Sequence, residues 1–166
     1  MDRSARREQV LACAVKVFSR KGYHATTVSD IIAEAGVARG TFYLYFKSKE
    51  QLLPHLRAEV LAEYMRVFEH ALSAKGPADE RLSKGIAAVY RAVRRHRQLV
   101  AVFRQAQSGE ETERIWLEGR ETLAGPLACL LEEGRDAGVL RLDEPRMAAH
   151  LVLALLDDLF YEALQY

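Results

Sequence analysis

The stretch from Thr27 to Leu53 reads TVSDIIAEAGVARGTFYLYFKSKEQLL, and the rest of the chain is best understood from it. Thr27 and Asp30 have the spacing of a capping box, which marks the start of a helix. Apolar residues at i, i+3, i+4 and i+7 then predict one buried helix face, formed by Val28, Ile31, Ile32 and Ala35. Gly36 follows where a helix needs a left-handed residue to stop.

A second short helix is predicted over Ala38 to Tyr45. Phe42 and Phe46 are four residues apart, so both side chains can pack inward on one face. Gly40 then lies on the outward face, where the missing side chain lets another surface approach the backbone closely. Two short helices joined by a tight turn with a glycine form a helix-turn-helix.

A long helix is predicted next, over residues 48 to 74. Ser48 is its expected cap, with Gln51 three residues later. Lys49 then falls in the first turn, where free N–H groups and a lysine together form an anion site. Pro54 interrupts the pattern and predicts a kink or a loosened turn.

This run of sequence closely resembles the DNA-binding domain of TetR-type transcriptional repressors, sharply so over residues 8 to 53. The residues that carry the resemblance are Thr27, Val28, Ile31, Ala35, Gly36, Val37, Arg39, Gly40, Thr41, Tyr43, Tyr45, Phe46, Lys49, Glu50 and Leu52. One departure is that Leu44 and Tyr45 stand where the family often has an aromatic residue followed by histidine. The resemblance implies a homodimer that binds a palindromic operator in double-stranded DNA and is released by a small-molecule effector.

The expected DNA-binding residues follow from the same resemblance. Direct contacts are expected from the start and outer face of the second short helix, namely Arg39, Gly40, Thr41, Tyr43 and Leu44. Phosphate contacts are expected from Thr27, Tyr45 and Lys49. For Leu44, a contact with a thymine methyl group and packing within the same head are both open interpretations.

Charge is unevenly distributed along the chain of 166 residues, which has a net charge of only +1. Residues 1–50 hold nine Lys or Arg against five Asp or Glu, and residues 51–166 hold fifteen against eighteen. A basic head before an acidic body fits nucleic-acid binding confined to the head, although a chance fluctuation would look the same. Two distant cysteines, Cys13 and Cys129, indicate a reducing compartment without disulfides. With no apolar leader or membrane-length apolar run, a cytoplasmic protein is expected.

Further helices are predicted at residues 3–21, 78–95, 98–107, 110–136 and 145–164, with Gly125-Pro126 expected to kink or divide the fourth of these and Gly138 to end it. The apolar residues expected to face inward are Val10, Leu11, Ala14, Val17 and Phe18 in the first helix and Leu82, Ile86, Val89, Tyr90 and Val93 in the second. No strand pattern persists, so the predicted fold is all-α. A three-helix DNA-binding head over residues 1–47 precedes a helical effector-binding and dimerisation body over residues 48–166.

Signs of catalytic chemistry are lacking in the sequence. The five histidines have no metal-ligand spacing, and neither a phosphate loop nor a nucleophile elbow is present. We therefore expect no enzyme activity, no metal and no cofactor. Two other functions remain open, a DNA-binding architectural protein without a ligand and a helical interaction module.

Effector and dimer sites are expected in the body, because TetR-like proteins hold a ligand between the long helix and those that follow. Residues that suit an apolar or aromatic effector are Tyr64, Phe68, Tyr90, Phe103, Trp116 and Arg120, although the same residues would suit a filled core. The last helix is apolar on two sides, so one side is expected to meet a second subunit. The expected interface is Leu151, Val152, Leu155, Leu156, Leu159 and Phe160. Family members usually pair two C-terminal helices from each subunit, and this chain is expected to contain only the first.

Overall fold

The computed structural model of the chain describes residues 3–106 and 110–162, and within these residues the regular elements are eight helices. The helices are α1 (Arg3–Lys21), α2 (Val28–Ala35), α3 (Arg39–Tyr43), α4 (Leu52–Leu72), α5 (Ala78–Arg95), α6 (Arg97–Gln105), α7 (Glu110–Asp136) and α8 (Pro145–Glu162). The predicted all-α fold is confirmed. None of the helices in the described ranges combines the length and apolarity needed to cross a bilayer.

The chain divides into two compact units, and the division falls within α4. The head unit comprises Met1–Glu59 and Gln98–Gly109, and the body unit comprises Val60–Arg97 and Glu110–Tyr166. The head unit thus includes α6 from Gln98 onward, although this segment is distant in sequence from the other head helices. The division of function at residues 47 and 48 stays a prediction.

The head unit is built around the apolar stripe of α1. Its predicted members Val10, Leu11, Ala14, Val17 and Phe18 are each no more than 1% exposed. The other helices add Ile31 and Ala35 from α2, Phe42 from α3, and Phe46, which follows α3. The rings of Phe42 and Phe46 pack with centroids 5.9 Å apart, as their spacing predicted.

Both ends of α2 have the predicted caps. The Asp30 amide donates to the Thr27 hydroxyl at 3.2 Å, and the Asp30 carboxylate accepts from the Thr27 amide at 2.9 Å. Lys21 also donates to Asp30, and these hydrogen bonds hold the pKa of the Asp30 carboxyl well below its usual range. Gly36 ends the helix in the left-handed conformation, with φ +60°.

The start of α4 differs from the prediction, because the helix begins at Leu52 and not at Ser48. The Lys47 amide donates to the Gln51 side chain at 2.8 Å, and the Leu52 amide donates to the Lys49 carbonyl three residues back at 3.1 Å. The chain therefore enters α4 through a tight turn. Pro54 falls in the first helical turn, where backbone N–H groups have no intrahelical acceptor. The proline therefore removes no helical hydrogen bond, and nothing at this position requires the predicted kink.

In the body unit, α7 runs as one helix through Gly125 and Pro126, so the predicted alternative of two segments is wrong. Both residues are exposed. Gly138 ends the turn after α7 with φ +72°, as predicted. The core of this unit includes Phe68 of α4 and Leu127 and Leu130 of α7, each no more than 2% exposed.

The inward face of α5 was predicted partly wrongly. Val89 and Val93 are buried as expected, but Tyr90 is 44% exposed. Gly85 and Ala92 occupy the buried face instead. A Cβ atom on Gly85 would lie only 2.9 Å from the Phe68 ring, so the glycine allows α5 to approach α4 closely.

Arg81 of α5 joins two other helices of the body unit. Its Nε donates to the carbonyl of Leu72, the last residue of α4, at 2.9 Å. This hydrogen bond satisfies one of the carbonyls that every helix leaves unpaired at its end. Its Nη1 also pairs with the Glu133 carboxylate of α7 at 2.7 Å. Arg81 is mostly buried, with 15% of its side chain exposed, whereas Glu133 is 53% exposed.

We expect the Arg81→Gln substitution to lower the free energy of unfolding by about 1–3 kcal/mol, because the Leu72 carbonyl loses a charged donor. Glu133→Gln is the matched variant and should cost less than about 1 kcal/mol, because its carboxylate is exposed and screened. Urea unfolding followed by circular dichroism measures both values. Equal losses would show that the ion pair, and not the helix cap, provides the stabilisation.

Candidate nucleic-acid interface and internal cavity

The outward side of α3 and the residue after it form an exposed strip on the head unit. Leu44 is 72% exposed and Tyr43 is 44% exposed, although both are large and partly apolar. Arg39 and Gly40 are also exposed, and Thr41 is half-buried. Leu44 therefore does not pack within its own head, which was the alternative interpretation of this residue.

The strip is positively charged at its start and open above the backbone. The Arg39 guanidinium lies 5.9 Å from the centre of the Tyr43 ring, a distance that allows a cation–π contact. A Cβ atom built on Gly40 would meet nothing within 4 Å. At Gly40, an external partner can therefore contact the backbone of α3 directly.

The three residues expected on phosphate differ in their surroundings. Thr27 is exposed, and its hydroxyl both accepts from the Asp30 amide and donates to the Asp30 carboxylate at 2.8 Å. Tyr45 is half-buried. Lys49 precedes α4, so its predicted position in the first helical turn is wrong, while its contact with phosphate stays a prediction.

The Lys49 ammonium group contacts the loop between α1 and α2. Its Nζ donates to the carbonyls of Tyr23 at 2.8 Å, His24 at 3.3 Å and Thr26 at 2.8 Å. The same nitrogen lies 4.6 Å from the centre of the Tyr23 ring. The positive charge is thus directed into the head.

Tyr23 is a central residue of this loop that the sequence did not single out. It is 7% exposed, and its hydroxyl donates to the Glu50 carboxylate at 3.3 Å. Burial, with the nearby Glu50 charge, raises the pKa of Tyr23 to about 12. Its amide donates to the side-chain oxygen of Gln105 in α6 at 3.0 Å. Because Gln105 is 82 residues away in sequence, no local pattern could have predicted this contact.

A small cavity of about 40 Å³ lies within the body unit. Its walls come from four helices and are formed by Leu61, Tyr64, Met65, Phe68, Val89, Gly119, Arg120, Leu123, Leu153 and Leu156. Three of the residues expected to bind an effector, Tyr64, Phe68 and Arg120, are therefore brought together. A buried water needs about 10–15 Å³ of such volume, so the cavity has room for a few waters at most.

The other three residues expected at the effector site do not line this cavity. Phe103 belongs to the head unit, where the Arg57 guanidinium lies 5.0 Å from the centre of its ring. Tyr90 lines an open groove of about 500 Å³ on the outer side of α5, together with Leu82, Ile86 and Leu140. The side chain of Trp116 lies outside the described residues.

Charged groups lie beside Tyr64 at the end of α5. The Glu63 carboxylate accepts from Arg95 at 2.5 Å and lies 2.7 Å from the His96 ring nitrogen. The hydrogen bond from Arg95, with that from His96, lowers the pKa of Glu63. The His96 ring meets the Tyr64 ring edge-on with centroids 6.0 Å apart, and burial raises the pKa of the Tyr64 hydroxyl. Tyr64, which lines the cavity, thus contacts His96, the residue between α5 and α6.

The last helix, α8, has one apolar side buried and another exposed. Met147, Leu151 and Leu155 are 61%, 59% and 66% exposed. Leu153 and Leu156 are buried within the protomer and line the cavity, and Val152 is half-buried. The side chains of Leu159 and Phe160, also expected at the interface, lie outside the described residues. Among the predicted interface residues with described side chains, Leu151 and Leu155 are the two that are open to a partner.

Two family models match successive parts of the chain. The family described as "Bacterial regulatory proteins, tetR family" matches residues 10–56. The family described as "Tetracyclin repressor-like, C-terminal domain" matches residues 75–161. These matches cover the helix-turn-helix and most of the body helices.

Individual relatives match over nearly the whole chain. The fatty acid metabolism regulator protein of Bacillus subtilis is 30% identical over 154 residues, which cover 90% of this chain and 79% of the relative. The structure of FadR from Bacillus subtilis in complex with stearoyl-CoA is 30% identical, with a TM-score of 0.70, and the match covers 92% of this chain and 84% of that one. A TetR/AcrR regulator from Thermobifida fusca is 25% identical, with a TM-score of 0.80 and coverage of 95% and 85%. The chain therefore belongs to the tetR family of bacterial transcriptional regulators, and its helix-turn-helix is the DNA-binding part.

Proposed function

We propose that this protein is a homodimeric repressor that binds a palindromic operator and is released when an effector with a long apolar chain occupies the body. The observation that carries the DNA-binding part is the exposed strip of α3, where Leu44 is 72% exposed and Gly40 leaves the backbone open. An outward leucine beside an open backbone can contact a thymine methyl group on the floor of the major groove.

On the operator, α3 enters the major groove as the recognition helix. Arg39, Gly40, Thr41, Tyr43 and Leu44 contact the bases and the adjacent backbone, while Thr27 and Tyr45 lie near phosphate. Two copies related by two-fold symmetry read half-sites about one helical turn apart, roughly 34–36 Å or a multiple of that distance. This symmetry is the reason for expecting a palindrome.

The proposed effector has a long acyl chain with an anionic head. A relative with 30% identity, FadR from Bacillus subtilis, has been crystallised with stearoyl-CoA. The cavity here is lined mainly by aliphatic and aromatic side chains, which suit an acyl chain, and Arg120 on its wall suits an anionic group. At about 40 Å³ the cavity holds no acyl chain, so we propose that the described conformation is a closed, effector-free one.

Release follows if the effector binds an expanded body more tightly than the closed one. A ligand shifts an equilibrium only by its difference in affinity for the two states, and about 1–3 kcal/mol is typical of such coupling. We propose α4 as the transmitter, because it is a continuous helix that spans the boundary between the head and body units. A change in the body then alters the separation of the two heads in the dimer.

The ligand-independent architectural alternative has less support, because the relatives described above are named as regulators and one was crystallised with a ligand. The proposed mechanism uses binding and conformational change only, so it requires neither catalysis nor a cofactor. Since the operator is chromosomal DNA, we propose a cytoplasmic location.

Selection of operators from random and genomic DNA tests the proposal, followed by titration of the purified complex with stearoyl-CoA. We expect a palindromic consensus and release of the DNA on addition of stearoyl-CoA. Stearic acid and free coenzyme A separate the contributions of the chain and the head. Specific binding that resists every apolar ligand would favour the architectural alternative, and absence of any selected sequence would contradict both.

We expect Gly40→Ala to weaken operator binding by about tenfold or more without loss of stability, because the added methyl lies between the helix backbone and the DNA. The same methyl meets nothing within 4 Å in the free protein and improves helix propensity by up to about 1 kcal/mol. Fluorescence anisotropy with the selected operator and thermal unfolding give the two values. Unchanged affinity would show that DNA does not approach the backbone at Gly40.

We expect Gly119→Ala to raise the stearoyl-CoA concentration needed for release by about threefold or more, with operator affinity unchanged. The new methyl occupies the cavity wall, 3.0 Å from Leu61 Cδ2 and 3.3 Å from the sulfur of Met65. Glu121→Ala is the control on the same helix, because Glu121 is exposed and outside the cavity. An unchanged response to stearoyl-CoA would place the effector elsewhere.

We expect Leu155→Glu to produce folded monomers at micromolar concentration, because it introduces a charge into the exposed apolar side of α8. Val139→Glu is the matched control, since Val139 is also exposed, at 47%, but follows α7 in a loop. Leu156→Arg is not a test of the interface, because Leu156 is buried and the change would destabilise the protomer itself. Sedimentation velocity with circular dichroism distinguishes these cases, and a monomeric wild-type protein would contradict the proposed dimer.

A further inference from the structure

The loop between α1 and α2, residues 22 to 27, is bound by the side chain of Lys49, which follows the helix-turn-helix in the sequence. Lys49 lies between α3 and α4, more than twenty residues after the loop, and donates to three of its carbonyls. An ammonium group has three N–H donors, so these three contacts use its full hydrogen-bonding capacity. A phosphate would therefore compete with the loop carbonyls for the donors of this nitrogen.

The nature of the loop explains why such a lysine is needed. Gly22 is left-handed, with φ +78°, and the residues after it belong to no helix, so their carbonyls lack helical partners. Within the loop, the Thr26 amide donates to the Tyr23 carbonyl at 3.3 Å. The Thr26 hydroxyl donates to the Gly22 carbonyl at 2.7 Å, which closes the loop on itself. Lys49 adds a second donor to the Tyr23 carbonyl and provides donors for the His24 and Thr26 carbonyls, and its charge strengthens each hydrogen bond.

The loop also determines where the DNA-reading helices begin. It ends at Thr27, the N-cap of α2, and α2 is joined to α3 by the short turn at Gly36. Tyr23, whose carbonyl binds Lys49, is fixed on two further sides by Glu50 and Gln105. A shift of the loop therefore moves the first residue of α2 relative to the remainder of the head.

We propose that Lys49 is a positioning residue, which fixes the loop at residues 22–27 and thereby orients α2 and α3 for the operator, and that it is not a phosphate ligand. This inference rests on the proposed DNA-binding function and corrects the expected role of Lys49 on phosphate. The lysine acts through the backbone of Tyr23, His24 and Thr26 and does not touch the DNA.

Two substitutions separate positioning from phosphate binding. Lys49→Met keeps the apolar stem but removes the charge and the three donors. Lys49→Arg keeps the charge, but its planar guanidinium cannot direct three N–H groups onto three carbonyls clustered around one point. The matched control is Lys47→Met, because Lys47 is a nearby exposed lysine whose side chain makes no hydrogen bond or ion pair with the described residues.

The first measurement is amide hydrogen exchange of the full-length protein without DNA. We expect both Lys49 variants to raise the exchange rates of the Thr26, Asp30 and Ile31 amides by about tenfold or more, the equivalent of one or two net hydrogen bonds. Exchange at the centre of α7, in the body unit, should be unchanged, as should all exchange in Lys47→Met. These exchange rates report on the hydrogen bonds of the loop itself, so they test the contacts of Lys49 even if the operator proposal fails.

The second measurement is operator affinity at several salt concentrations. We expect both Lys49 variants to bind about tenfold or more weakly, with the slope of log K against log salt unchanged, because no phosphate contact is lost. A phosphate ligand would behave differently, since Lys49→Arg would bind like the wild type and Lys49→Met would flatten the slope by about one unit. That result, together with unchanged exchange, would overturn the proposal.

If Lys49→Met does not fold, Lys49→Arg decides alone, because it retains the charge and differs only in geometry. Normal exchange and normal affinity for Lys49→Arg would contradict the positioning role, and faster exchange with weaker binding at an unchanged slope would support it. A wild-type protein that selects no operator would contradict the proposed function, while the exchange data would still test whether Lys49 holds the loop.

Discussion

The exposed strip of α3 depends on the burial of two phenylalanines, Phe42 and Phe46. Helix α3 has only five residues, and helices shorter than about 12–15 residues are marginal in water by themselves. Tertiary packing must therefore hold it in place, and Phe42 and Phe46 are 0% and 1% exposed in the core of the head unit. Because this packing uses one side of so short a helix, the opposite side with Gly40 and Leu44 is left for an external partner.

The parts of the head that the sequence predicted well are those determined by local geometry. The capping box of Thr27 and Asp30, the stop at Gly36 and the inward pair of phenylalanines each depend on residues within four positions of one another. The start of α4 was predicted wrongly, because Gln51 accepts from the Lys47 amide and the helix begins four residues later than Ser48 indicated. The contacts of Lys49 and Gln105 with the Tyr23 loop join distant segments, and no periodic pattern reveals them.

In the body, hydrophobic pattern alone was a poor guide to the cavity. The sequence favoured large side chains at the inward face of α5, yet Gly85 and Ala92 are buried there and Tyr90 is half-exposed. Close approach of two helices selects small residues at the contact, so the bulkiest apolar residue need not face inward. Tyr64, Phe68 and Arg120 line one cavity, and the first two do so because α4 keeps its helical period, which places residues four apart on one face.

The close approach at Gly85 has a mechanical consequence for the cavity. A virtual Cβ at Gly85 would meet the Phe68 ring at 2.9 Å, so α4 and α5 are interlocked and form a stiff wall. At Gly119 the nearest atoms are Leu61 Cδ2 and the Met65 sulfur, the ends of side chains that change rotamer easily. Side chains at the α7–α4 contact can therefore adjust more easily than the α4–α5 contact, where a ring packs against the glycine backbone. Any widening of the cavity is expected between α7 and α4.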